Sequence, residues 1–197
     1  MTVLQILELL VLALVIVLGL SLLVTHALTG VPTMSAGRAE KADVVALLQQ
    51  AGLPDRTIVY DLGCGWGAQL VSLARAFPDA QIRGIELSPF PYFISRLRTH
   101  DLPNVVVRRG NFFGLDLGDA QAIICYLMPR AMVKLGPFLD GMLKTGTPVV
   151  ALTFWFRDRQ VSASRDGAGL RGAAALYIWP AHKGDVSRSS IGANAGA

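Results

Sequence analysis

The sequence predicts an α/β fold: a doubly wound, mostly parallel sheet preceded by one transmembrane helix. Three observations carry the prediction. Apolar strand-like runs alternate with amphipathic helical stretches from residue 36 onward. A long apolar run without a basic residue occupies the N-terminus. Between them, "VYDLGCGWGAQL" at 59–70 joins a buried strand pattern to a helix pattern through three glycines at alternate positions.

The chain has 197 residues, 52% of them hydrophobic, and its mean hydropathy of +0.47 is high for an ordinary soluble domain. The excess sits at the start. From Leu9 to Val24 there is no charge, and counted from Val3, with Gln5 and Glu8 near one end, the segment has 22 residues. At about 1.5 Å per residue that is roughly 33 Å, the thickness of a bilayer core. A cleaved signal peptide would need a basic leading region and small residues at its cleavage site. No Lys or Arg precedes Arg38, and no Ala-x-Ala follows Val24. The expectation is an uncleaved anchor over 1–26 and a linker over 27–35. All 18 Lys and Arg lie after it, so the positive-inside rule places the remainder on the cytoplasmic side. A buried helix of a soluble protein is the competing reading, but such helices are rarely apolar on every face.

About 165 residues remain, enough for one domain with an ordinary core. It is expected over 36–181, with a small, polar, disordered tail over 182–197. The net charge of +4 is modest and the arginines are scattered. A nucleic-acid footprint is therefore not indicated, although attraction to anionic lipid headgroups is compatible with it. Cys64 and Cys125 stand alone, so neither a zinc site nor a disulfide framework is suggested. His26, His100 and His182 are isolated, and no metal site is expected.

Within the domain, Ser35 caps a helix over roughly 36–51, which Gly52 and Pro54 stop. "TIVYDL" (57–62) is a buried strand, and 67–77 a helix with Leu70, Val71, Leu73, Ala74 and Phe77 at helical spacing. "AQIRGIEL" (80–87) is the second strand. Pro89 and Pro91 start a helix running to about His100. "NVVVRRG" (104–110) is the third strand. "AQAIICYLM" (120–128) is the fourth, apolar enough to be buried on both faces. Residues 129–143 are helical, broken near Gly136-Pro137, and "TPVVALTFWF" (147–156) is the fifth strand. The polar segment 157–172 reads as a loop, and "AAALYIWP" (173–180) as a last strand, antiparallel beside the fifth. This order implies right-handed crossovers and a ligand site at the carboxyl ends of the strands, near the switch point beside the first.

Gly63, Gly65 and Gly67 follow the first strand directly. Glycine there permits positive φ and a close approach of ligand to backbone. A dinucleotide loop would read G-x-G-x-x-G, whereas this one reads D-x-G-x-G-x-G, with Asp61 two places before the first glycine. A carboxylate beside the loop suits a cationic ligand end, such as the ammonium and sulfonium of S-adenosylmethionine, better than a pyrophosphate. Glu86 ends the second strand and can accept both hydroxyls of a ribose, a feature that NAD shares. Asn111 follows the third strand and can offer its carbonyl to an adenine amino group. Phe112 or Leu87 can contact the adenine face.

"VYDLGCGWG", "GIELSP", "RRGNFF" and "AIICYLMP", in that order, resemble the class I S-adenosylmethionine-dependent methyltransferases, a Rossmann-like fold, over roughly residues 31–156. "GVPTMSAGRAEKADVVALL", then "IELSPFPYFISRLR" and "YLMPRAM", is similar to the membrane-anchored protein-lysine methyltransferases that act on ATP synthase subunit c and the adenine nucleotide translocase, and to their bacterial relatives. The resemblance implies S-adenosylmethionine as cofactor and makes Asp61, Gly63, Gly65, Glu86 and Asn111 its contacts. The family often has Asp at the position of Asn111. The region after the fifth strand is shortened, with room for one strand rather than a helix and strand pair.

Methyl transfer from a sulfonium is an in-line displacement that depends on alignment. An amine nucleophile must arrive deprotonated, and desolvation helps. The end of the fourth strand, at Tyr126, usually steers the acceptor, and no Asn-Pro-Pro-Tyr motif is present there. Thr33 is a candidate for the cofactor entrance. Phe154, Trp155 and Phe156 can flank the acceptor, with at least one expected in the core. The expectation is a membrane-tethered methyltransferase acting on a lysine of a membrane-associated protein, with a lipid headgroup or lipophilic small molecule as the alternative acceptor. An NAD-binding oxidoreductase and an inactive binding module are the distant alternatives.

Overall fold

A computed structural model describes residues 2–29, 36–165 and 173–182. Strands β1 (Ile58–Leu62), β2 (Gln81–Glu86), β3 (Val105–Arg109), β4 (Ala122–Cys125), β5 (Pro148–Leu152), β6 (Ala163–Arg165) and β7 (Ala174–Ile178) form one sheet. Its order is β3-β2-β1-β4-β5-β7-β6. Strands β1 to β5 run parallel, and β7 and β6 close the edge antiparallel. The chain winds outward from β1 to β3 and then returns to β4 on the other side of β1. This switch leaves a crevice above the carboxyl ends of β1 and β4.

Helices α2 (Arg38–Gln50), α3 (Ala68–Ala76) and α4 (Pro89–Arg98) follow the long first helix, and α5 (Pro129–Asp140) is the last. The core has two halves. In one, Val44, Leu47 and Leu48 of α2 and Leu70 and Leu73 of α3 pack on Val59, Ile82, Ile124 and Val150. In the other, Met132, Leu135 and Leu139 of α5 pack with Leu62, Ile123, Val149, Tyr177 and Trp179. A short 3-10 turn, Phe112–Gly114, takes the place of a helix between β3 and β4.

Four expectations need correction. Strand β4 stops at Cys125, because its partner Leu62 is the last residue of β1 before the chain turns away at Gly63. The apolar run to Met128 continues without a ladder. Strand β5 stops at Leu152, where Thr153 takes a φ of 66°. Helix α5 is not broken: Pro137 lies inside it, and the Val133 carbonyl left without its N–H partner belongs to a residue 75% exposed to solvent. The presumed loop 157–172 holds the short strand β6, paired with β7, together with an isolated bridge from Arg159 to His182.

Helix α2 begins at Gly37, whose N–H donates to the Glu40 carboxylate. The expected cap, Ser35, lies outside the described residues, as do Thr33 and the tail beyond His182. Helix α1 is a continuous Val3–Thr29 element of 27 residues. Its side chains are described over 3–17 and at 19 and 20, and every one is exposed. Among the described residues no helix is long and apolar enough to cross a membrane, so the expected transmembrane span is not supported by them.

Candidate active site

Strand β1 delivers Asp61 to the carboxyl edge of the sheet one residue before its end, and the glycine loop begins at once. Gly63, Gly65 and Gly67 have φ of 76°, 54° and 76°, the region that favours glycine. The loop is tied to β2 by the N–H groups of Gly63 and Cys64, which both donate to the Ile85 carbonyl at 2.9 and 3.1 Å. Packing also excludes larger residues. A Cβ on Gly63 would lie 2.8 Å from Leu127 Cδ2, and one on Gly67 2.5 Å from Ser95 Oγ.

Glu86 closes the other side. One carboxylate oxygen accepts the Gly65 N–H at 2.9 Å and the other the Ser88 N–H at 2.7 Å. Each oxygen keeps a second lone-pair site for a ribose hydroxyl. Glu86 thus shapes the loop, a role the sequence did not disclose.

Asp61 is buried, and its Oδ2 has no hydrogen-bond partner. Burial first, and then the negative charge of Glu86, push its carboxyl up to about 7. Beside it Gln69, on the first turn of α3, is also buried with both amide atoms unpartnered. Asp61, Gln69, Gly63 and Tyr126 share a cavity of about 30 Å³ with Ala36 and Leu152. The placement of Tyr126 at the end of β4 matches expectation, and its side chain is half-buried. Gln69 was missed. Its signal is its position in the stripe of Leu70, Leu73 and Ala74, where a polar residue must be buried with them.

Leu87 follows Glu86 and is exposed. Asn111 is exposed, and its side-chain carbonyl accepts the Phe113 N–H at 3.1 Å, capping the 3-10 turn. Phe112 is half-buried against Phe113, with ring centroids 4.5 Å apart. Cys64 is a buried free thiol 3.8 Å from Ser95 Oγ. Burial, and after it the charges of Asp61 and Glu86, push that thiol well above its ordinary range, so it is inert as a nucleophile.

A second, larger recess of about 650 Å³ lies beyond β4 and β5. Pro129, Met132, Val133, Thr153, Phe154 and Trp155 are among its walls. Phe156 lines it too, but is buried with its ring edge-on to Tyr177 and Trp179 at 5.2 and 5.3 Å; it is the core member expected of this aromatic trio. At the lip, Phe154 N–H donates to the Leu152 carbonyl at 2.8 Å across Thr153. This is a γ-turn with positive φ at a β-branched residue, a rare and strained conformation. Leu152 lines the small cavity and Thr153 the large recess, so the turn stands between the two.

A cationic amino-acid end suits the unpartnered carboxylate of Asp61, and a ribose suits Glu86. Comparison with known proteins bears on the family and the cofactor. The ANTKMT methyltransferase domain model matches residues 61–163, just over half of the chain. A protein-lysine N-methyltransferase of Saccharolobus islandicus is 30% identical over 149 residues, covering 70% of this chain and 88% of that protein. A trans-aconitate 2-methyltransferase of Deinococcus radiodurans is 32% identical over 109 residues, half of this chain and 42% of that protein. Among solved structures, an RNA methyltransferase of Salinibacter ruber in complex with S-adenosyl-L-homocysteine superposes with a TM-score of 0.64 at 27% identity, covering 73% of this chain and 92% of that one. The chain is an S-adenosylmethionine-dependent methyltransferase of the class I type and belongs to the ANTKMT methyltransferase domain family.

Proposed function

We propose that this methyltransferase N-methylates a lysine of a membrane-associated protein, with its catalytic domain held at the cytoplasmic face by the N-terminal helix. The observation that carries the acceptor reading is the recess of about 650 Å³ between α5 and residues 153–158, with Thr153 in its wall next to Leu152 of the small cavity. Its aromatic and apolar walls suit the four-carbon stem of lysine, and Arg130, Arg157 and Asp158 add charge to the same lining. The similarity to a protein-lysine N-methyltransferase supports the same choice. The apolar side chains exposed along α1 support contact with a membrane.

When bound, S-adenosylmethionine supplies a sulfonium methyl group that a nitrogen lone pair takes as the sulfur–carbon electron pair returns to sulfur. The residues of the chain bind and align. Asp61 offers its free oxygen to a cation, and Glu86 fixes the loop at Gly65 while accepting hydroxyls. Tyr126 lines the small cavity and Thr153 the recess. Thr33 is assigned to the cofactor entrance, and Leu87, Asn111 and Phe112 to the adenine side. Alignment in this site is worth more than acid–base chemistry, because an in-line displacement needs its three centres collinear.

A lipid headgroup amine, or a lipophilic small molecule, fits the same apolar recess and is the second reading. The test is transfer of labelled methyl from S-adenosylmethionine into isolated membranes by the full chain, followed by separation of protein, lipid and RNA. Label in protein, recovered as N-methyllysine after hydrolysis, is expected. Label confined to lipid or RNA would overturn the lysine assignment. Flotation of the full chain with anionic vesicles tests the tether: a chain that stays at the bottom of the gradient refutes it.

A further inference from the structure

We propose that the outer face of α4 docks on an anionic membrane surface, a second contact beside α1 that fixes how the methyltransferase domain lies on the bilayer. Outside α1, the described residues expose six large apolar side chains: Leu87, Phe93, Leu97, Val106, Val133 and Ile178. Val106, Val133 and Ile178 lie on three different elements, and single apolar residues on a surface are ordinary. The other three are grouped. Phe93 and Leu97 stand four residues apart on α4, 62% and 60% exposed, so they share a face. Pro89, four residues earlier on the same row, is exposed too, and Leu87 just precedes the helix. Helix α4 is fastened to the domain by its other side, through buried Pro91 and Ser95.

The neighbours of this row identify its occupant as lipid. Helix α1 comes against α4, and the side chains described along α1 are exposed and, apart from Gln5 and Glu8, apolar. The row on α4 therefore adjoins a larger apolar surface. Charge points the same way. Helix α4 carries Arg96 and Arg98 in its last turn and no acid. Arg96 meets the Tyr92 hydroxyl at 3.4 Å, and Arg98 donates to the Trp66 carbonyl at 2.8 Å. Both partners are uncharged, so both positive charges remain for phosphate groups. An apolar row flanked by basic groups is the pattern of a helix lying in a membrane interface, and basic groups there favour anionic lipid. The row is too narrow to hold a whole domain on a bilayer. A tether through α1 makes the contact intramolecular and lets a weak contact count; in this respect the inference rests on the tether proposed above. Because the row begins beside Glu86, docking holds that edge of the sheet near the headgroups, where an acceptor in a membrane is met.

The test uses the full chain on vesicles of equal parts phosphatidylcholine and phosphatidylglycerol. Cys64 and Cys125 are buried, so a cysteine introduced at an exposed site takes a thiol-reactive, environment-sensitive dye. Phe93→Cys, Leu97→Cys and, as reference, Lys144→Cys are labelled one at a time. Lys144 is exposed ahead of β5, and β1 and β4 separate that strand from β2 and β3, on which α4 packs. An interfacial helix sinks its apolar side roughly 5–10 Å into the boundary of headgroups and acyl chains. Nitroxide-labelled lipid should therefore quench the dyes at 93 and 97 and leave the dye at 144 unchanged. On pure phosphatidylcholine the quenching should fall, since each arginine near an anionic surface contributes about fivefold. On the unaltered chain, a phospholipid with a photoreactive acyl chain should tag the tryptic peptide 84–96, which holds Phe93. That arm does not depend on a substitution. A chain that floats with the vesicles while 93 and 97 go unquenched, or 84–96 untagged, would overturn the docking face and leave the tether standing. A blue-shifted dye without quenching, on a chain that sediments as a dimer, would overturn it in favour of a second copy. Equal quenching on neutral vesicles would overturn the anionic headgroup as partner. A chain that does not float overturns tether and docking face together.

Discussion

Gly65 and Glu86, 21 residues apart, meet through a 2.9 Å hydrogen bond from the loop N–H to the carboxylate that ends β2. The acid proposed to hold the ribose is therefore also the clamp of the glycine loop. Two backbone donors converge on that carboxylate, the second from Ser88. Its removal costs both loop order and ligand contact. Glu86→Ala is expected to weaken S-adenosylhomocysteine by about 1–3 kcal/mol and to lower the thermal midpoint of the ligand-free chain. Glu86→Gln turns an N–H₂ group toward one of the two backbone donors and should lose affinity as well. Unchanged affinity in both variants, measured by calorimetry, would refute the placement of the site.

Asp61 makes binding and stability depend on pH in opposite directions. Its folded-state carboxyl, about 7, lies above the ordinary 3.8. The folded chain thus keeps a proton that the unfolded chain releases, and stability falls as pH rises from about 4 to about 7. The effect is at most on the order of 4 kcal/mol. Asp61→Asn should abolish it and raise the thermal midpoint of the ligand-free chain at pH 8. A cationic ligand needs the ionised form, so affinity for S-adenosylhomocysteine should rise with pH up to about 7 and then level. Melting curves and titrations between pH 5 and 8 check both slopes; a flat affinity profile contradicts the assignment.

Gly67 is where the loop meets α4. With a φ of 76°, and Ser95 Oγ 2.5 Å and Ser95 Cα 3.0 Å from an added Cβ, Gly67→Ala combines backbone strain with overpacking. A loss of about 1–3 kcal/mol in unfolding free energy is expected, measured by denaturant titration. Gly52→Ala serves as the reference: its φ is also positive, at +66°, but nothing lies within 4 Å of the added Cβ.

The groove reading predicts a split between stability and transfer at Thr153 and Trp155. Thr153→Gly relieves the positive-φ strain and should leave the thermal midpoint equal or higher. Trp155→Ala removes a groove wall and the hydrogen bond from its indole N–H to the Ala173 carbonyl, 3.1 Å long. It should lower labelled methyl transfer into membranes by about tenfold or more while affinity for S-adenosylhomocysteine is kept, as expected for lost acceptor alignment. Parallel losses of transfer and cofactor affinity would place Trp155 outside the acceptor site.

Much of the site was legible because it is written in backbone demands. Asp61, the alternate glycines and Glu86 occupy positions set by strand ends, and strand ends follow from apolar runs bounded by glycine. The ends of β4 and β5 were read too long for the same reason. Tyr126 to Met128 and Phe154 to Phe156 are apolar and continue the pattern, but the ladder stops when the neighbouring strand turns away. Strand β6 was hidden in a Gly-, Ser- and Arg-rich segment, where pairing with β7 and not apolar content decides the structure. Pro137 was read as a break, yet it sits in the last turn, where the missing bond falls on the carbonyl of an exposed residue, Val133. Gln69 carries no motif; only the three-dimensional neighbourhood of Asp61 gives its amide a meaning.

The central claim is that the edge of β1 and β2, centred on Asp61 and Glu86, holds S-adenosylmethionine. Calorimetric titration of the full chain and of Asp61→Asn with S-adenosylhomocysteine, and of the full chain with NAD, tests it most directly. The account predicts saturable binding of S-adenosylhomocysteine, weakened by Asp61→Asn, and no binding of NAD. Binding of NAD without S-adenosylhomocysteine, or an Asn variant of unchanged affinity, would contradict it.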